Sequence, residues 1–143
     1  HSECRWWPAP TAEMRDMDVL PGSWRRQRGD DAEQCAEQWL TGQGLITVAR
    51  NWRCRMGEID LIMLDNDILV FVEVRFRSTH QHGGAAGSVD LRKQRRLIAA
   101  ARHYLRLRPE AAQRQCRFDV IAVQPASEGK SGIDWIPGAF YAG

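Results

Sequence analysis

The sequence predicts a small α/β domain with elements in the order α-β-β-β-α-β-β, on three observations. Ala32, Ala36, Trp39 and Leu40 recur at helical spacing and form one apolar face. Residues 58–64 and 68–75 are apolar runs on either side of Asp65-Asn66-Asp67, a turn-forming trio, which is the pattern of a β-hairpin. A long amphipathic stretch, residues 88–107, then ends just before Pro109.

A chain of 143 residues suits one domain with a single core. No stretch approaches the roughly 20 apolar residues that span a bilayer. The start lacks the apolar run of a secretory signal. A cytoplasmic protein with no membrane partner is therefore expected. The cysteines at 4, 35, 54 and 116 form no C-x-x-C pair, so they read as reduced thiols, some of them in the core, rather than as zinc ligands.

Residues 1–28 read as a poorly ordered N-terminal tail, broken by Pro8, Pro10, Pro21 and Gly22, although Trp6, Trp7 and Trp24 are unusual in a disordered segment. The domain proper is residues 29–143. Asp30 or Asp31 is placed to cap the first helix, and Gly42 and Gly44 to stop it. Residues 45–49 read as a strand and 51–57 as a polar connection, with Arg50, Arg53 and Arg55 on this stretch. Residues 68–74 are almost continuously apolar, as in a central strand covered on both faces. A glycine-bearing loop over 76–87 leads into the long helix. A strand at 116–123, a loop at 124–132, a short strand at 133–136 and an apolar terminus complete the chain.

Two strands carry carboxylates inside apolar runs, in Gly57-Glu58-Ile59-Asp60-Leu61-Ile62 and Phe71-Val72-Glu73-Val74-Arg75. An unpaired buried charge costs several kcal/mol, so such a group is normally paired or bound to a cation. Residues two apart on a strand share a face, which points Glu73 and Arg75 the same way. Asp60 lies on the partner strand of the hairpin, within reach of Glu73. Two converging carboxylates make a hard oxygen site suited to Mg²⁺. A neighbouring cation can hold a phosphate, and the combination suits metal-assisted phosphodiester hydrolysis. A structural ion pair is the alternative from these strands alone. Glu33, early in the first helix and beside its apolar stripe, is a candidate third acid.

The net charge of +2 conceals a segregation of charge. From Arg75 to Arg117 there are 11 Lys or Arg residues against two acids, Asp90 and Glu110. On a helix, Arg92, Arg95, Arg96, Arg102 and Arg106 fall within an arc of roughly 120°. Leu91, Leu97, Ile98, Ala101, Tyr104 and Leu105 fall on the other side, with Lys93 at the edge of the apolar arc and directed towards the sheet or a cleft margin. Five arginines on one face fit phosphates, and Arg77 lies in the adjoining loop. The alternative is a solvated face. His80 and His82 in the same loop read as surface residues, because no third metal ligand is evident.

Together these segments resemble the YraN family of bacterial proteins. The resemblance rests on Ala32-Glu33-Gln34-Cys35-Ala36 with Leu40, on Asn51-Trp52-Arg53, on the Gly57 to Ile62 and Val70 to Arg77 segments, and on Lys93, Ala100 to Leu105, and Arg117-Phe118-Asp119-Val120. It covers about residues 30–140. The family is similar to the restriction-endonuclease-like PD-(D/E)-x-K superfamily and to Holliday-junction resolvases. It implies an αβββαβ core with a mixed sheet flanked by helices. It further implies Asp60 and Glu73 as ligands of Mg²⁺ or Mn²⁺, Glu33 as an accessory acid, and Arg75 at the position of the superfamily's catalytic lysine. Arginine stays protonated and is a poor general base, so Lys93 is the candidate substitute. The expected partner is nucleic acid, DNA first, with a homodimer by analogy with resolvases. Three functions stay open: a metal-dependent endodeoxyribonuclease, a nucleic-acid-binding module that keeps the nuclease fold without catalysis, and a protein-interaction domain with the tryptophan-bearing tail as its handle.

Overall fold

A computed structural model describes residues 22–76, 89–124 and 132–142. The expectations for the tail up to residue 21, for Arg77, His80 and His82, and for most of the two long loops lie outside these residues.

The first helix, α1, spans Gly22–Gly42 and so begins earlier than its apolar stripe. Asp30 and Asp31 lie inside it instead of capping it. Residues 23–28 are mostly competent helix formers, and a helix backbone needs no apolar partner in every turn. The stop is as expected: Gly44 has φ 102°, and Leu45 N–H returns to Leu40 O at 3.1 Å.

Strand β1 runs Ile46–Cys54, well beyond the predicted 45–49. The supposed polar connection is its second half, and it is polar because β1 is an edge strand. Arg55-Met56 turns the chain into β2, Gly57–Asp65, and a turn with Asn66 at φ 55° leads to β3, Ile68–Phe76. Helix α2, Leu91–Leu107, is capped by the Asp90 carboxylate, which accepts from Lys93 N–H at 2.8 Å. Leu91, placed on the apolar side by the helical wheel, is 65% exposed. Pro109 opens a one-turn helix, α3, Pro109–Ala112, that periodicity did not signal. Strand β4 is Cys116–Val123, as expected. Strand β5 is Ile133–Phe140, twice the predicted length, and it accommodates Pro137 because an edge strand tolerates a missing donor.

The sheet order is β1-β2-β3-β4-β5. Strands β3 and β4 are parallel, with α2 between them in the chain, and the other neighbours are antiparallel. The result is the expected mixed sheet flanked by helices, with the αβββαβ order of a restriction-endonuclease-like core. Ala32, Cys35, Ala36 and Leu40 of α1 pack on Leu61, Met63, Val70, Val72 and Ile121. Leu97, Ala100, Ala101 and Tyr104 of α2 pack on the opposite face, against Ile62, Phe71, Phe118 and Val120. Strand β3 is thus covered on both sides, which explains its unbroken apolar run. Each fully buried leucine or isoleucine here contributes about 1.5–3 kcal/mol. Cys35 is disulfide-bonded, unlike the reduced thiol expected, while Cys54 and Cys116 are free. No helix among the described residues is long and apolar enough to cross a membrane.

The register of β1 with β2 shifts between Thr47 and Ala49, that of β4 with β5 shifts between Phe118 and Val120, and the pleat slips again farther along β1 and β2. Ala49 and Trp52 both pack on the α2 side, three residues apart, as do Ile59 and Ile62. Arg50 and Leu61, paired across β1 and β2, belong to the α1 side. Strict alternation would give each pair an even separation. The extra residues are Asn51, at φ 50°, and Asp60, which the register puts opposite it. A left-handed conformation is uncommon for a residue with a side chain, and Asn tolerates it best.

Candidate metal centre and nucleic-acid interface

This slip builds the acidic site. The pairing of β2 with β3 proceeds from Asp65↔Ile68 to Leu61↔Val72. One step on, where the ladder would pair Asp60 with Glu73, the Asp60 carboxylate enters the fork, and its Oδ2 accepts the Val74 N–H at 2.8 Å. A side chain thereby replaces a strand as partner for that donor. The Asp60 and Glu73 carboxyl groups come within hydrogen-bonding reach of each other.

Glu73 is 5% exposed. Its Oε2 lies 3.6 Å from Lys93 Nζ and 3.7 Å from Arg75 Nη1. Burial first, and the Asp60 charge second, push its carboxyl up to about 8, against the opposing pull of Lys93 and Arg75. Burial also raises Asp60, partly offset by the Val74 N–H. Both cations are thus present, but at distances too long for good hydrogen bonds, and they leave the pair under-compensated.

Asp119 provides an internal comparison. It too is a carboxylate inside an apolar strand, and it is completely buried. It accepts Arg117 Nε at 2.8 Å, Arg117 Nη2 at 3.0 Å, Trp135 Nε1 at 3.0 Å and Gly138 N–H at 3.0 Å. Arg117 also reaches Asp65 at 3.0 Å. This acid ties β4 to β5 and has its lone pairs filled by protein. The same sequence signal, an acid within an apolar strand, therefore has a structural outcome at Asp119 and a different one at Glu73.

A cavity of about 680 Å³ opens between α1 and the β1–β2 hairpin, lined by Glu33, Glu37, Thr41, Arg50, Asn51 and Asp60 among others. Asp60 therefore faces a space that solvent and a ligand can enter. With its amide turned so that the nitrogen faces the two acids, Asn51 donates to Glu33 Oε1 at 2.8 Å and to Glu58 Oε1 at 3.2 Å. Glu37 is engaged by Arg50 Nε at 2.7 Å and by the Thr47 hydroxyl at 2.6 Å, and these contacts hold its carboxyl below the ordinary value against the effect of burial. Among the described residues no three acid, histidine or cysteine side chains converge as a ready metal cluster. Glu33 lines the same cavity as Asp60 but does not join Asp60 and Glu73 in such a cluster.

Two neighbouring carboxylates, Asp60 on the cavity wall and Glu73 buried behind it, are a donor set of the chemistry that Mg²⁺ takes. This ion usually binds one or two carboxylates and keeps waters or phosphate oxygens as its other ligands. On α2, Arg92, Arg95, Arg96, Arg102 and Arg106 are all exposed, while Lys93 turns inward to Glu73, as its place on the wheel indicated. Sequence reasoning missed Asn51 and Arg50 as site-building residues. An asparagine just past the predicted strand was the available signal, since that residue type tolerates positive φ.

The model described as "Uncharacterised protein family UPF0102" matches residues 32–123. A UPF0102 protein of Alcanivorax borkumensis is 53% identical over 118 residues, 82% of this chain and 94% of the relative. A UPF0102 protein of Pseudomonas entomophila is 50% identical over 112 residues, 78% and 91% of the two chains. One from Pseudomonas savastanoi is 46% identical over 121 residues, 85% and 98%.

Proposed function

The chain belongs to the UPF0102 family, the YraN family expected from its sequence, and from this starting point we propose that it binds nucleic acid and hydrolyses phosphodiester bonds in DNA with Mg²⁺ or Mn²⁺. The observation that carries the reading is the contrast between two buried acids. Asp119 is saturated by short hydrogen bonds from protein. Glu73, beside Asp60, has two cations among the described residues, at 3.6 and 3.7 Å, and favours its protonated form. A divalent cation is the partner that would satisfy both carboxylates at once.

Asp60 and Glu73 would hold the metal, with Glu33 as an accessory acid on the cavity wall. When bound, the metal supplies charge for a phosphoryl oxygen and lowers the pKa of a water. The chain's own cations divide the remaining work. Arg75 keeps its proton and binds the scissile phosphate. Lys93, a primary amine 3.6 Å from Glu73, can exchange a proton with the attacking water or the leaving oxygen, which arginine does poorly. The basic face of α2 binds the flanking phosphates.

Arg75 at the superfamily's lysine position favours a second reading, a binding module that retains the site without turnover. Plasmid and branched DNA incubated with Mg²⁺ or Mn²⁺ separate the two. Cleavage by the wild type that is lost in Asp60→Asn and Glu73→Gln supports the nuclease. Salt-sensitive binding without cleavage selects the module. No affinity for DNA or RNA at low salt overturns both and leaves a protein-interaction domain.

A further inference from the structure

The arginines of α2 have a role in this reading, while those of the β1–β2 turn do not. Gly57, just after that turn, lies against α2. A Cβ placed on it would sit 3.6 Å from the Arg96 carbonyl oxygen and 3.8 Å from the Arg96 Cβ. The turn thus seats on the first half of the helix. Arg96 is one helical turn beyond Lys93, whose Nζ is 3.6 Å from Glu73. On its other flank the hairpin connects to the acidic site through side chains. Arg53 Nε lies 3.4 Å from Glu58 Oε1, the oxygen that also accepts from the Asn51 amide, which in turn holds Glu33.

Several of the charges on these two touching elements are without an acidic partner among the described residues. Arg55, Arg92, Arg95 and Arg96 are exposed and form no ion pair among the described residues. The Arg53–Glu58 pair is long and solvated, so it is worth little and leaves Arg53 free to exchange partners. Arg102 and Arg106 differ. They lie about 9 and 15 Å farther along the helix axis, where Arg102 donates to Ala142 O and Arg106 meets the His103 ring. Like charges carried on two elements in contact favour a polyanion, and a row of phosphates is one that can meet both.

Granted the nucleic-acid reading above, we infer that the β1–β2 turn is a second phosphate-contacting element. Arg53 and Arg55 act with Arg92, Arg95 and Arg96 as a clamp on the sugar–phosphate backbone leading to the Asp60–Glu73 fork.

The test is fluorescence anisotropy with a labelled DNA duplex, without divalent metal, across a salt series. Three double variants are compared with the wild type: Arg53→Ala/Arg55→Ala, the charge-conserving Arg53→Lys/Arg55→Lys, and Arg108→Ala/Arg114→Ala. The last removes equal charge near the Tyr104 ring and Asp67, away from the turn. The expected result for Arg53→Ala/Arg55→Ala is a log K versus log salt slope shallower by about 1–2 and roughly tenfold weaker binding at about 0.1 M salt. The lysine pair retains the wild-type slope, and the remote pair shifts it by less than half as much. An alanine pair that behaves like the remote pair overturns the clamp alone, as does a lysine pair that fails to restore the slope. A wild type with no salt-dependent affinity for DNA overturns both the clamp and the function it rests on.

Discussion

Glu73→Gln should make the protein more stable while removing its response to metal. In the folded chain the Glu73 carboxyl is pushed from an ordinary 4.5 up to about 8, chiefly by burial. A raised carboxyl means that the folded state holds this proton more tightly than the unfolded chain does. The stability it confers is complete below about pH 4.5 and is lost as pH rises towards and through 8, at about 1.4 kcal/mol per unit. At pH 7 the accumulated loss relative to a permanently neutral side chain is up to about 3 kcal/mol. The glutamine side chain is neutral at every pH and nearly isosteric with glutamate. Lys93 and Arg75, with 39% and 35% of their side chains exposed, keep their hydration when the charge beside them goes. Thermal melts followed by circular dichroism at about pH 5, 7 and 8.5 should show the wild type falling and the variant flat on account of this group. The variant should be higher at pH 7 by about 5–10 °C. Mg²⁺ in the millimolar range should raise the wild-type midpoint, more at pH 8 than at pH 6 because the ligands must be deprotonated, and leave the variant unmoved. A variant less stable than the wild type at pH 7, with the same pH dependence, would refute the view of Glu73 as an under-compensated acid kept for a cation.

Three further outcomes follow from the same geometry. Lys93→Met removes a cation that opposes the rise at Glu73, so half-maximal Mn²⁺ binding, read by electron paramagnetic resonance at fixed metal, should move to higher pH; an unchanged profile would separate Lys93 from the site. Asp119→Ala should destabilise by about 3–5 kcal/mol in urea unfolding, because the Trp135 and Gly138 donors and the Arg117 charge lose a buried acceptor, and metal binding should persist in the folded fraction. At Asn51, with φ 50°, Asn51→Gly should melt within about 1 kcal/mol of the wild type, whereas Asn51→Leu should cost about 1–2 kcal/mol more than glycine, since only the second forces a branched side chain into the left-handed region. Equal melting of the two would remove strain as the reason for an asparagine there.

Much of this protein is determined by sequence alone. Period-two and period-3.6 apolar patterns, with Asn66 at a tight turn and Gly44 at a helix end, specify the hairpin, both main helices and the doubly covered β3, because these are local consequences of backbone geometry and burial. Proximity of Asp60 to Glu73 was also legible, since a hairpin register relates them directly. The lengths of β1 and β5 were not, because an edge strand with one wet face carries no strong pattern. Only the tertiary structure decided which buried acid is structural. Asp119 and Glu73 read alike along the chain, and among the described residues their difference comes from β5, which brings the Trp135 and Gly138 donors to Asp119, whereas Glu73 has Lys93 and Arg75 at longer range. The slip of the pleat at Asn51 and Asp60 belongs to the same class. It arises from the fit of three strands and a helix around one point, a many-body packing condition that no local pattern encodes.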